Sequence, residues 1–345
     1  KLLEVSMPDN KLEVIPTSMA ALTSMTRLDL SNNRLAKISV VLGVWLRLQT
    51  LDLSGNLLEE LPGTIGNLVL LKVLRLSGNK LTILPPFMAK LVNLRELFVQ
   101  NNSLDALFEG IHECEQLVTL SFSNNRLPAL PYELARLSHL HNIVLDSNPL
   151  HSPPPEIRSR GTPVVIDYLH RFDEAGTTRK LDLDGVGLNV FPLEIVAMSS
   201  LKELSLKNNA IEVIPPVIGR MVGLERLCVD NNRLIQLPVE LGQVVALCEL
   251  TFAGNDLRTP PSEILEKGTG AISEYLKRMM SARSTQVLDL GALELRRTPV
   301  EVAFMTGLTK LSLVNNHLHK IFVGVGQLTL LTEMNLDYNE LQTLP

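Results

Sequence analysis

Asparagine recurs at every twenty-third position along most of this 345-residue chain: Asn10, Asn33, Asn56, Asn79, Asn102, Asn125 and Asn148, then Asn209, Asn232 and Asn255, then Asn316 and Asn339. A period of this length means one structural unit stacked on copies of itself, and it excludes a fold wrapped around one closed core. Around each asparagine the chain follows LxxLxLxxNxLxxLP, as in "RLQTLDLSGNLLEELP" and "LLKVLRLSGNKLTILP". Leucines alternate with polar residues in the xLxLx part, so they leave one side of a short extended strand. One repeat has nothing to bury those leucines against; a stack of repeats makes them a continuous core. Aromatic residues are only 4% of the chain and hydrophobic residues 45%, so that core is aliphatic.

The asparagine stands where the chain turns off the strand. Its amide both donates and accepts, which suits backbone groups buried between repeats, so the column is structural rather than catalytic. A proline lies six residues beyond the asparagine position in most repeats: Pro16, Pro62, Pro85, Pro131, Pro154, Pro192, Pro215, Pro238, Pro261, Pro299 and Pro345. It fits a returning segment that needs no ladder N–H.

These residues resemble the leucine-rich repeat family over nearly the whole chain. The LxLxxN form, with its LP and this period, looks most like the intracellular, Ras-group-like class. The resemblance implies an α/β solenoid: a leucine-rich repeat horseshoe with short parallel strands on the concave face and irregular, 3-10 or helical convex segments. It implies a non-enzymatic, cytoplasmic protein–protein interaction scaffold or adaptor without cofactors. Its partners would be proteins: a small GTPase, a phosphatase, or subunits of a large assembly. Two other roles fit the same resemblance, a docking or sensing arm of a larger Roco GTPase-like or kinase-like enzyme, and a structural subunit of a large assembly. The chain opens at Lys1 and stops at "LQTLP", both inside repeats, so further sequence is expected at each end.

The period breaks twice. After Asn148 the next asparagine place falls late and is taken by Val186; after Asn255 it falls equally late and is taken by Leu293. The two excursions, "NPLHSPPPEIRSRGTPVVIDYLHRF" and "NDLRTPPSEILEKGTGAISEYLKRM", align without a gap, Asn148 against Asn255. Each is one repeat enlarged by the same inserted length. Thr162 and Thr269 follow glycine and are expected as helix N-caps, with Pro163 at the first helical position. Val165, Tyr168 and Leu169 then share a helix face, as do Ile272, Tyr275 and Leu276. The reading is a single solenoid over 1–345, with blocks 1–151, 179–258 and 286–345 separated by helical seams 152–178 and 259–285. Valine and leucine have no amide, so the asparagine ladder is expected to be interrupted at both seams.

No catalytic signature is present: no GxxxxGK[ST] phosphate loop, GxSxG elbow or HExxH helix. The pairs His139/His141 and His317/His319 lack companions at ligand spacing and read as solvated surface rather than a metal site. Cys114, Cys228 and Cys248 are scattered, which favours free thiols in a reducing compartment. A net charge of −5 speaks against nucleic acid, which needs concentrated basic surface. No apolar run reaches membrane-spanning length. Asn101-Asn102-Ser103 matches a glycosylation sequon, but Asn102 belongs to the ladder.

The template also lists the surface a partner would meet. Outward strand positions lie six, four, two and one residues before the ladder position, and acids outnumber bases there. Such a wall favours a basic or mixed-charge protein. Asp29, Asp52, Asp182 and Asp289 are recurring filler. The departures are more informative, since aromatic and arginine side chains anchor interfaces. They are Arg75, Phe98 with Gln100 and Asn101, Asn142 with Asp146, and the mixed group Lys207, Arg226, Cys228 and Asp230. The seams offer an alternative docking face through Arg158, Arg160 and Arg171, or Lys267, Lys277 and Arg278.

Overall fold

The computed structural model describes residues 1–343, so Pro345 lies outside the described residues. The backbone forms two compact units, Lys1–Asp173 and Glu174–Pro345. In the first, seven three-residue strands pair in chain order in one parallel sheet: β1 (Glu4–Ser6), β2 (Arg27–Asp29), β3 (Thr50–Asp52), β4 (Val73–Arg75), β5 (Glu96–Phe98), β6 (Thr119–Ser121) and β7 (Asn142–Val144). The register is the repeat itself, with Leu28 beside Leu51 and Leu51 beside Leu74. The second unit holds a four-stranded parallel sheet, β8 (Lys180–Asp182), β9 (Glu203–Ser205), β10 (Arg226–Cys228) and β11 (Glu249–Thr251). It also holds a three-stranded one, β12 (Val287–Asp289), β13 (Lys310–Ser312) and β14 (Glu333–Asn335).

The alternating leucines make the core. Leu28, Leu30, Leu51, Leu53, Leu74 and Leu76 are fully buried, each worth about 1.5–3 kcal/mol relative to exposure. Trp45, at the end of a return-side 3-10 turn, is also fully buried and donates its indole N–H to the Met19 carbonyl at 3.2 Å.

Each strand ends in the same turn. At Asn56 the side-chain amide donates to the carbonyls of Leu53 and, one repeat back, Leu30, both at 3.0 Å, while its oxygen accepts from Leu35 N–H at 3.0 Å. Asn79, Asn125, Asn232 and Asn316 repeat this pattern. The residue just before the ladder position is left-handed in every repeat, from φ 53° at Asn124 to φ 73° at Gly254. Asparagine and glycine tolerate that conformation best, which explains the recurring "NN" and "GN" doublets. On the return side, Pro62 caps the 3-10 turn Gly63–Asn67 in extended conformation, and Pro85, Pro131, Pro215 and Pro238 do the same for theirs.

The sheets stop at the enlarged repeats. These carry α1 (Pro155–Arg158) and α2 (Thr162–Thr178), then α3 (Ser262–Leu265) and α4 (Thr269–Thr285). The apolar faces are as expected: Val165, Tyr168, Leu169, Phe172 and Ala175 are buried, as are Ile272, Tyr275, Leu276, Met279 and Ala282. The threonines behave differently from the N-cap expectation. Thr162 Oγ1 accepts from Ile143 N–H, and Thr269 Oγ1 from Leu250 N–H, both at 3.0 Å. Gly268 holds the N-cap of α4, without a side-chain bond. The reason is that β7 and β11 end their sheets, so their central N–H groups have no following strand. The hydroxyl takes the place of the missing carbonyl.

The ladder is interrupted where the sequence implies. Buried Val186 stands in the asparagine place, and the amide column resumes at Asn209, which accepts from Gly187 and Leu188 N–H. At Leu293 the neighbouring Asn316 oxygen accepts from both Leu293 and Leu295 N–H, at 3.1 and 2.9 Å.

Candidate partner-binding surface

On the strand face of the first unit the register sets Arg75 of β4 beside Phe98 of β5. The Arg75 guanidinium lies 5.2 Å from the Phe98 ring centroid, a cation–π distance, and 3.6 Å from Glu96. Neither side chain is buried. Beside them the Gln100 side-chain oxygen is buried without a hydrogen-bond partner. Asn101 serves the turn: it is the left-handed residue, φ 57°, and its side chain accepts from Asn124 at 2.8 Å. Asn142 and Asp146 are exposed on the last strand and the turn after it, two strands or roughly 10 Å from Phe98. The sheet therefore joins Arg75, Glu96 and Phe98 in one contact group and leaves Asn142 and Asp146 apart from it.

The filler aspartates are occupied by local turns. Asp29 accepts from Ser31 N–H, Asp52 from Ser54 N–H, Asp182 from Asp184 N–H and Asp289 from Gly291 N–H, at 2.9–3.0 Å.

In the second unit the candidate residues are paired within the chain. Lys180–Glu203 at 2.8 Å, Glu203–Arg226 at 3.2 Å and Arg226–Glu249 at 2.7 Å form a row of alternating charge across β8 to β11. The hydrogen bond from Lys180 holds the Glu203 carboxyl below its ordinary range, and the bond to Glu249 holds Arg226 above its own. Lys207 reaches Asp230 at 3.5 Å, and Asp230 also accepts from the Thr251 hydroxyl at 2.6 Å and Ala253 N–H at 2.7 Å. Cys228 lies buried beside them and, with Asp230, raises the Lys207 pKa. The row is absent from the sequence expectations, although Lys180, Glu203, Arg226 and Glu249 fall at the repeat period and alternate in sign.

Elsewhere the cysteines are free, Cys114 and Cys228 buried and Cys248 exposed. Burial pushes the Cys114 thiol up to about 12. Glu340 sits 2.7 Å from His317 and 3.3 Å from His319, a carboxylate companion that the spacing alone does not reveal. Among the described residues, no group of three His, Cys, Asp or Glu is arranged to hold a metal ion, and no helix is long and apolar enough to cross a membrane. Of the basic seam residues, Arg171 pairs with Asp167, Arg278 with Glu274 and Lys267 with Glu294.

Parallel strands in chain order, 3-10 or α-helical returns and a stacked amide column define an α/β solenoid. Residues 23–81 match the family model for the leucine rich repeat, 69–110 a model for two copies of it, and 200–221 a further leucine rich repeat model. The chain is a leucine-rich repeat protein. Among solved structures it is similar to a leucine-rich repeat protein of Leptospira interrogans, at 27% identity over 100% of this chain and 74% of that one, with TM-score 0.45. It is also similar to an internalin of Listeria monocytogenes, at 17% identity over 97% of this chain and 87% of that one, with TM-score 0.37. No curated protein matches the chain.

Proposed function

We propose that the chain is a non-catalytic protein-interaction module, and that the strand face of residues 1–173 takes a partner anchored on Arg75 and Phe98. The observation that carries this reading is the stacked pair itself. Its neighbours Asp29 and Asp52 are tied into their own turns, whereas the Arg75–Phe98 pair presents a cation and an aromatic ring on a rigid parallel sheet. Such side chains supply most of the binding energy at protein interfaces. The same face suits a partner of basic or mixed charge, and small GTPases, phosphatases or subunits of a large assembly are the proposed classes. Three free cysteines fit a cytoplasmic setting. The test is affinity capture with the wild-type chain beside an Arg75→Ala/Phe98→Ala double variant of unchanged circular dichroism. Proteins held by the first and lost by the second, at least about tenfold, support the reading; an identical set removes this pair from the interface.

A further inference from the structure

The two seams are copies in sequence and differ in packing. In the first unit Tyr132 stacks on Phe172, with ring centroids 4.8 Å apart, and Phe172 meets Tyr168 at 4.9 Å. Arg136 locks α2 further through a two-pronged bond to Asp173, at 2.7 and 2.9 Å. In the gapless alignment of the two seams Val239 stands for Tyr132, Met279 for Phe172, Gln243 for Arg136 and Met280 for Asp173. The aromatic stack is gone from the second seam, and the ion pair between helix and turn is displaced to Arg283–Glu240.

In place of the stack the second unit has a cleft of about 690 Å³ against α4, within the roughly 300–1,000 Å³ range of ligand sites. Its wall mixes apolar side chains, Leu276 and Met279 from α4 with Val239, Leu308 and Val300, with the polar Gln236, Thr259 and Gln286. Phe304, 80% exposed, and Val213, 55% exposed, extend that apolar surface to the mouth. An acid is set into this wall. Glu301 receives the Tyr275 hydroxyl on Oε1 at a long 3.4 Å, while Oε2 is buried with no hydrogen-bond partner. A half-buried carboxyl served only by hydroxyl donors, Tyr275 and Thr259, with one oxygen undonated, costs free energy that a cation of matched shape would recover. The acid at the rim, Glu240, already has its cation, Arg283 at 2.7 Å.

We propose that this cleft is a second binding site, which takes a protein segment presenting a lysine or arginine between apolar side chains, the cation on Glu301 and the apolar groups on Met279, Val300 and Phe304. None of these residues lies on a strand, so the site stands independently of the strand-face reading. Burial raises the Glu301 pKa, with its own backbone N–H, Tyr275 and Thr259 opposing, as expected of an acid lacking a counter-ion.

The probe is acetyl-Leu-Leu-Lys-Leu-Leu-amide, against the same peptide with norleucine for lysine, titrated into the full chain carrying 13C-methyl methionine. Met279 and Met305 both line the cleft and report occupancy. The lysine peptide should shift both methyl signals saturably and bind at least about tenfold tighter than its neutral twin. Glu301→Gln should erase that preference, and Val239→Tyr/Met279→Phe, which installs the first seam's aromatic pair, should weaken both peptides at least about tenfold, read from Met305. Absence of any methyl shift, equal affinity for the two peptides, a preference that survives Glu301→Gln, or binding that survives the filled cleft would each overturn the proposal. If the double variant fails to fold, Val239→Tyr alone gives the filling test, and the Glu301→Gln arm decides independently.

Discussion

Inside a block and at a seam the chain meets the same problem and solves it with different side chains. A short parallel strand leaves backbone groups that must bond across to the next coil. Within a block the asparagine does this with three hydrogen bonds at once, as at Asn56. At a block's end there is no next strand, and the Thr162 or Thr269 hydroxyl supplies the one acceptor still required. The contrast teaches that the ladder is a property of stacked neighbours, so a residue in the ladder position matters only where a strand stands behind it.

The largest expected effect tests the block. Asn56→Ala orphans the buried Leu35 N–H and takes one of two amide donors from each of the Leu30 and Leu53 carbonyls, which keep Asn33 and Asn79, and should cost about 2–3 kcal/mol, read as a shift of the urea midpoint. A loss below about 1 kcal/mol would show that water replaces the amide inside the coil. At the seam, Thr269→Val removes a single acceptor and should cost about 1–2 kcal/mol, whereas Thr269→Ser should stay close to wild type. A larger loss in Thr269→Ser than in Thr269→Val would assign the effect to the threonine methyl instead.

Glu301 gives a prediction with a pH sign. Its folded pKa is raised above its unfolded value, so the folded state holds its proton longer and stability falls as pH rises out of the ordinary carboxylate range. Glu301→Gln should therefore melt higher than wild type at neutral pH, with the difference closing once both carboxyls are protonated in acid. A gap in melting temperature that is constant across pH would sink the desolvated-acid account. The smallest effect belongs to Leu293→Asn. With no strand-borne carbonyl behind it, the new amide should change stability by no more than about 0.5 kcal/mol. A clear gain would mean that a seam position can be recruited into the ladder after all, and would break the contrast drawn above.

Much of this can be read in the sequence because it is repeated. Asn56 and its eleven counterparts, the Pro62 column and the helix faces of Tyr168 and Tyr275 are periodic signals, and the interruptions at Val186 and Leu293 follow from side-chain chemistry alone. The left-handed column at Asn32, Gly55 and Asn101 is visible only as a composition bias, so the part that exposed Asn101 plays in its turn is not apparent from the sequence. Thr162 and Thr269 mislead because a threonine after glycine before a helix normally caps it; only the strand behind reveals the other use. The row from Lys180 to Glu249 needs the register to turn alternating charges into contacts. The cleft depends on what Val239 and Met279 fail to fill, which the alignment with Tyr132 and Phe172 marks as a position without giving its shape.

The left-handed residue in all fourteen coils also fixes where this chain tolerates new length. Between the first strand residue and the ladder position, one added or lost residue would put a side chain ill-suited to positive φ into that turn and move the amide off its carbonyls. In the ordinary coils beyond Pro62 and Pro215 the backbone meets neither requirement until the next strand begins. Both enlargements fall in that stretch. A loop, tag or small domain inserted after Pro62 or Pro215 should be carried as readily as α2 and α4 are, whereas the same insertion after Leu53 should unseat the coil.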